Sequence, residues 1–308
     1  MTLPDFPMFA KLSLEDKEDY NKLIRGFPPF SDISFTNLHI WWNLDGRLSA
    51  SILNQNLVLN YRLPFDKENS GYGLVGNHNI DESIQTIFVY LRQQGKPVKL
   101  VHIPEFVVEK ITDISKLDIV EELDFHEYIM SSQDLARLEG SGHAYNRKKV
   151  KRFIRETQNK KIQIKSLGLS SEENTHLILA SFHDWQKKFA DKNDPKRTEN
   201  LAIERTLTHS QALETKNLCL FIDGKLSGFA LYHLTIDKQY YIVNHLKVDY
   251  SIPRMYDYLT NQLAIKAADE NVPFLNIEMD LGIEGLREHK MGLRPIRFNK
   301  KYTVKPLN

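Results

Sequence analysis

One cysteine, Cys219, is all that the 308 residues contain. A lone thiol builds no internal disulfide framework and fits a reducing compartment, so a cytoplasmic location is expected. Cys219 lies inside the apolar run 218–222 with no basic neighbour, and reads as core filling, not as a nucleophile. No apolar run approaches the roughly 18–20 residues of a membrane-spanning helix. Residues 1–20 lack a basic start, a long apolar centre and a small-residue cleavage site, so no signal peptide is expected. Net charge is only +1, which excludes a global field toward nucleic acid or membrane; any such attraction must come from a local patch. None of the 11 histidines sits at metal-ligand spacing with another, and HExxH is absent, so no metal is expected. The nucleophile elbow G-x-S-x-G, the P-loop and G-x-G-x-x-G are missing as well.

What is present is an ordinary globular composition, 41% hydrophobic and 26% charged, long enough for two domains. Two α/β halves are expected, joined by a basic helix. In the first half, residues 13–24 read as a helix capped by Ser13, with Asp16 in its first turn. Strands follow at 48–53 and 57–62 around the turn Asn54-Gln55-Asn56, and at 72–75. A helix over 81–94 shows Ile84, Ile87, Phe88 and Leu91 on one face; a strand spans 98–103 and a short helix 106–111. In the second half a strand at 162–167 precedes helices at 171–189 and 200–214. The turn Asp223-Gly224-Lys225 joins strands 218–222 and 226–234 in a hairpin. A strand at 240–248, a helix at 253–268, a strand at 274–281 and a closing strand at 296–304 complete the pattern.

The segment 273–302 carries the densest chemistry. Alternation places Leu275, Ile277, Met279 and Leu281 on one side of the strand, and Phe274, Asn276, Glu278 and Asp280 on the other. Three polar groups then stand in a row, roughly 6–7 Å apart. Gly282, a short amphipathic segment with Arg287 and Lys290, and Gly292 follow. Paired carboxylates suit the ammonium groups of an aminoacyl or lysyl moiety, or one of them serves as general base. Arg287 and Lys290, at i and i+3, suit a phosphate or a terminal ribose. A salt-bridge network at a helix–strand corner would use the same residues.

Between the halves, residues 146–161 read NRKKVKRFIRETQNKK. Val150, Phe153 and Ile154 can dock this helix on the protein, leaving a cationic stripe with Arg147, Lys148, Lys149, Lys151 and Arg152. Such a stripe can follow an RNA backbone or meet anionic lipid head groups, although most charge runs are merely solvated faces.

Three stretches carry a family resemblance: Phe30-Ser31-Asp32-Ile33-Ser34-Phe35-Thr36-Asn37-Leu38 with Trp41 after it, Glu127-Tyr128-Ile129-Met130-Ser131 followed by residues 134–140 (DLARLEG), and Asn276-x-Glu278-x-Asp280-Leu281-Gly282-Ile283-Glu284-Gly285-Leu286-Arg287-x-x-Lys290 with Lys300-Lys301-Tyr302 beyond. They resemble "SDxxFxNLxxW", "EYxYxxxDLxxLxG" and the C-terminal signature of a bacterial family: the C-terminal domain of phosphatidylglycerol lysyltransferases and its membrane-free relatives. The resemblance implies two tandem N-acetyltransferase-like (GNAT) domains with mixed, mostly antiparallel central sheets flanked by helices. The expected division is 1–160, a degraded copy ending in the basic helix, and 161–308, bearing the active site.

The resemblance also implies an acyltransferase, with an aminoacyl-tRNA as donor and an amine or hydroxyl acceptor, lipid or small molecule, and no cofactor. It further implies that strand 240–248 lies beside 274–281, with Tyr241, Val243, His245, Lys247 and Asp249 on one side and Asn244 on the other. His245 would then be a base near the carboxylates and Lys247 a substrate contact. Acyl-CoA-dependent members of this fold present a glycine-rich turn to the pyrophosphate. Here the turn 249–255 has no glycine, and Pro253 lacks an N–H, which argues against coenzyme A, although Arg254 could hold a phosphate. The sequence also departs from relatives at residues 147–153, which lack asparagine, and at Met291-Gly292-Leu293. A coenzyme A-dependent N-acyltransferase and a non-catalytic binding module remain the alternatives.

Overall fold

The computed structural model of the chain describes residues 3–42, 48–62, 70–189 and 198–307. In chain order the first elements are α1 (Lys17–Ile24), α2 (Phe35–Asn37), β1 (Leu48–Leu53), β2 (Asn56–Tyr61), β3 (Gly71–Val75), α3 (Ile80–Gln93), β4 (Leu100–Pro104), α4 (Glu105–Val108) and β5 (Leu117–Glu121). Ahead of α1, Ser13 N and Oγ donate to Asp16 Oδ2 at 2.7 and 2.8 Å, tying down the start of the helix. The β1–β2 hairpin turns on Asn54 and Gln55, whose φ of 50° and 65° match the twist of the strands it joins. On α3, Ile84, Ile87, Phe88 and Leu91 are all buried, as the helical spacing predicts.

The chain continues with β6 (Glu127–Ser131), α5 (Ser132–Arg137), α6 (Ala144–Glu156), β7 (Ile162–Lys165), α7 (Glu172–Phe189), α8 (Thr198–Thr208), β8 (Lys216–Ile222), β9 (Lys225–Leu234), β10 (Tyr240–Val248), α9 (Met255–Asp269), β11 (Phe274–Asn276), α10 (Glu284–Gly292), β12 (Arg297–Asn299) and β13 (Lys301–Pro306). The Asp223-Gly224 turn closes the β8–β9 hairpin with φ of 51° and 83°. Cys219 is buried in β8, where burial pushes its thiol up to about 12, as befits a core residue.

Two units result. The first holds Met1–Glu127, Met279–Gly282 and Asn299–Asn308; the second holds Tyr128–Glu278 and Ile283–Phe298. The first unit's sheet runs β1-β2-β3-β4-β13-β5, antiparallel except for the β3–β4 pair, which α3 connects. Its core gathers Ile84, Ile87, Phe88, Leu100, Ile103 and Val304. The second unit's sheet runs β12-β6-β11-β10-β9-β8-β7, with β10 and β11 parallel and α9 connecting them. Tyr232, Tyr241, Leu259, Leu263 and Leu275 fill its core under α9, and Ile178, Phe182, Ile203 and Phe229 fill it under α7 and α8.

This division differs from the expected boundary at residue 160. The basic helix α6 belongs to the second unit, because Phe153 stacks on Tyr258 of α9 at 4.5 Å and Lys149 pairs with Asp257 at 2.9 Å. The expected closing strand 296–304 is two strands. It breaks at Lys300, and β13 enters the first unit's sheet between β4 and β5, where Lys301 turns inward.

Candidate active site

The polar row expected over 274–281 breaks after Asn276. β11 is only three residues long, and Glu278 and Leu281 adopt φ of 58° and 55°. Side chains that would alternate along a strand therefore do not. Leu281 is exposed, while Asn276 and Asp280 are fully buried. The cause is a set of hydrogen bonds that outweighs a strand ladder. Asn276 Oδ1 accepts from Glu278 N at 2.9 Å. Lys290, buried on α10, donates to the carbonyls of Ile277 and Glu278 at 2.6 and 3.1 Å. Tyr128 N of β6 donates to Glu278 O at 3.2 Å. Left-handed backbone at a non-glycine residue costs on the order of 1 kcal/mol, and these bonds hold it.

The half-buried Glu278 carboxylate receives Asn244 Nδ2 on Oε1 at 3.2 Å. Asn244 Oδ1 in turn accepts from His233 Nδ1 at 2.9 Å, which orients the amide with its NH2 toward Glu278. Asn244 and His233 are both buried. Neither stood out in the sequence. Asn244 reaches this position because β10 carries a bulge between Val243 and His245, where pairing to β9 slips by one residue. Before the bulge, Tyr241 and Val243 face α9. After it, His245 and Lys247 face α7 and α8, so the expected single row does not exist. His245 Nε2 lies 3.2 Å from Thr206 Oγ1 of α8, and burial, with Lys247 nearby, holds its pKa down to about 3. A pKa depressed in this way makes the imidazole a weaker proton acceptor than the expected base. Lys247 pairs with Glu199 at 2.7 Å and lies over the Trp185 ring at 4.2 Å.

Arg254 begins α9 at φ 66°, 3.5 Å from Glu156 Oε2. In the turn before it, Asp249 Oδ1 accepts from Ser251 N and Oγ at 3.0 and 2.6 Å, and Asp249 O from Ile252 N at 3.0 Å. On α6, Asn146, Val150 and Phe153 form the buried face; Ile154, expected to dock, is 53% exposed. Arg147 donates to the carbonyls of Leu138 and Gly140, Lys149 pairs with Asp257, and Arg152 pairs with Glu156 at 2.6 Å. Lys148, Lys151 and Arg155 lie on the exposed face. Arg287 is half-buried on α10.

In the first unit, Asp280 accepts from Gly282 N on Oδ1 at 2.8 Å. Gly282 has φ 73°, a backbone conformation that glycine adopts without strain, and a Cβ there would stand 2.9 Å from Asp124 Oδ2 and oblige that side chain to shift. The same unit contains a buried ion triad that residue spacing did not reveal. Lys301 Nζ meets Asp32 Oδ2 and, at 3.0 Å, Glu127 Oε1, all three side chains being at most 6% exposed. Glu127 also accepts from Ser31 N and Oγ at 2.8 and 2.7 Å and from Asn299 Nδ2 at 3.2 Å. Burial pulls the Lys301 pKa down, but the two carboxylates outweigh it and raise it. Burial pushes Glu127 up, and Lys301 and Ser31 reverse that. The signal was in the motifs: each contributes a residue, Ser31 and Asp32, Glu127, and Lys301.

A mixed α+β architecture of this kind has solved counterparts. An acetyltransferase of the GNAT family from Colwellia psychrerythraea superposes with TM-score 0.51 at 11% identity, covering 98% of this chain and 99% of that one. A conserved protein of unknown function from Bacteroides thetaiotaomicron VPI-5482 superposes with TM-score 0.83 at 20% identity over 97% and 99%. The C-terminal domain of a putative lysylphosphatidylglycerol synthetase from Agrobacterium fabrum gives 0.65 at 13% over 95% and 92%. No curated protein matches the chain. Residues 29–305 match the family model described as phosphatidylglycerol lysyltransferase, C-terminal, and the chain belongs to that family. No helix among the described residues is long and apolar enough to cross a membrane.

Proposed function

We propose that the chain is an aminoacyltransferase, which moves an aminoacyl group from a charged tRNA to an amine or hydroxyl acceptor, lipid or small molecule. Membership of the lysyltransferase family and the GNAT-like fold support acyl transfer. The observation that carries the finer reading is the Glu278 carboxylate, held on Oε1 by Asn244 of the His233–Asn244 relay and carried on a backbone that Lys290 fixes through the Glu278 carbonyl. A carboxylate so held is a ready partner for the α-ammonium of an aminoacyl ester. The acceptor nitrogen or oxygen attacks the ester carbonyl, the bond to the terminal ribose oxygen breaks, and the acceptor's proton ends on that oxygen. The ester is already activated, so positioning contributes most of the catalysis. Arg287 would bind the terminal ribose phosphate and α6 the tRNA body.

The turn before α9 favours this donor over coenzyme A. Its Ser251 and Ile252 N–H groups are already taken by Asp249, and Pro253 has none to offer a pyrophosphate. The two units also share a strand plan: three antiparallel strands, a helix, then a strand parallel to the third, as β1-β2-β3-α3-β4 and β8-β9-β10-α9-β11. We read this as support for two tandem GNAT-like units, the second carrying the site.

The test incubates the protein with a panel of charged tRNAs and follows the labelled amino acid by mass. Transfer from at least one tRNA is expected, with Glu278→Gln lowering kcat/KM roughly 10- to 100-fold, the worth of a charged hydrogen bond. Micromolar binding of acetyl-CoA together with acetyl transfer and no aminoacyl transfer would overturn the reading.

A further inference from the structure

A cavity of about 500 Å³ lies in the second unit, and Glu278 is not in its lining. It is walled by the loop after β7, the connection from α8 to β8, and the C-terminal end of α9. Tyr232 of β9 lines it, whereas the next residue, His233, points to the opposite face of the sheet and joins the Glu278 relay. The two sites therefore sit on opposite faces of one strand.

The lining has a particular chemistry. Lys216 and Lys266 both hold Glu270, at 2.8 and 2.7 Å, and Glu214 lies at the rim, so two cations face two carboxylates. Tyr241 donates to the same Glu270 oxygen that Lys216 holds. Burial would raise the Glu270 pKa, but these partners bring it to about 2, so the carboxylate is charged at any working pH. An ionic ligand meets no net charge here. The uncommitted groups are hydroxyls: Tyr232 OH and Thr215 Oγ1 are buried without a hydrogen-bond partner, and the Tyr232 residue is 0% exposed. Buried polar groups left unpaired cost stability, so a fully buried phenol facing a cavity marks a place where a ligand completes the bonding. Fixed lysine donors beside a fixed carboxylate acceptor, with two unpartnered hydroxyls on residues of the same lining, match vicinal alcohols.

We propose that this cavity binds a neutral polyhydroxylated small molecule, of the size of a mono- or disaccharide, as a site separate from the one at Glu278. Its volume falls in the range of small-molecule sites.

The test is an amide-shift titration of the full chain with glucose, maltose and myo-inositol, with inorganic phosphate as the ionic control. Saturable shifts confined to residues 166–170 and 210–217 are expected with at least one of the three alcohols. Tyr232→Phe keeps the ring and its packing, and should weaken that binding roughly fivefold, the share of one neutral hydrogen bond; Thr215→Val should do likewise. Melting curves establish that both variants are folded. No saturation by any of the three below ~50 mM, shifts with phosphate alone, or undiminished binding by Tyr232→Phe would each overturn the proposal. Aminoacyl transfer is read in a separate assay, so failure here leaves the Glu278 reading intact.

Discussion

Glu122 is a residue of the first unit whose protonation changes that unit's stability. His102 Nδ1 lies 2.8 Å from its Oε2, and Thr303 donates to its other oxygen. His102 itself sits at φ 54° in β4, so the backbone is strained to present its ring. Burial would raise the carboxyl's pKa; the bonds from His102 and Thr303 reverse this and lower it from 4.5 to about 2. A carboxyl depressed in the folded state stabilises that state fully above its unfolded value and loses the contribution as pH falls through the folded one. The share at stake is about 3 kcal/mol, lost between pH ~4.5 and ~2. Urea unfolding followed across that window should show wild-type stability falling more steeply than that of Glu122→Gln. Parallel slopes for the two proteins would show that Glu122 is not the group titrating. The Lys301 triad follows the same logic at higher stakes, because removing one member leaves a buried charge without its partner.

Helix α6 divides its cations into two kinds. Arg147, Lys149 and Arg152 are tied to protein partners, whereas Lys148, Lys151 and Arg155 face outward. If the helix meets an RNA backbone, the second set makes the contacts. Changing Lys148, Lys151 and Arg155 to Glu should reduce the slope of log affinity against log salt for tRNA by roughly 2 to 3, about one per lost phosphate contact. An unchanged slope would remove tRNA binding from this helix. How much of such an element is legible depends on how local its causes are. Val150 and Phe153 announce the buried face of α6 by spacing, and the turns at Asn54-Gln55 and Asp223-Gly224 announce their hairpins by residue type. Ile154 lies at the edge of that face and is exposed, and the buried place that spacing assigns to it belongs to Asn146, whose Nδ2 donates to Gly292 O, 146 residues away. The break after Asn276 has the same kind of cause: Lys290 bonds carbonyls that an alternating pattern assigns to a strand. At Asn244 one extra residue in β10 exchanges the faces of everything after it, and no composition cue marks it.

Neither unit is made from one continuous stretch of chain. β13, from near the end of the sequence, occupies an interior position of the first unit's sheet, hydrogen-bonded to β4 on one side and β5 on the other. The same segment brings Lys301 to Asp32 and Glu127. A fragment ending at residue 160 would therefore leave facing edges of β4 and β5 open and two buried carboxylates without their cation. Unpaired strand edges expose backbone groups that fold only when paired, and an uncompensated buried charge costs several kcal/mol, a large part of a domain's total stability. Fragment 1–160 should then show no cooperative thermal transition and poorly dispersed amide resonances. Adding a peptide of residues 299–308 should restore part of the dispersion, because it returns both the strand and the lysine. A fragment 1–160 that melts cooperatively near the temperature of the full chain would mean that β13 is an accessory to the first unit, and that the division expected from the motifs describes folding better than the contacts do.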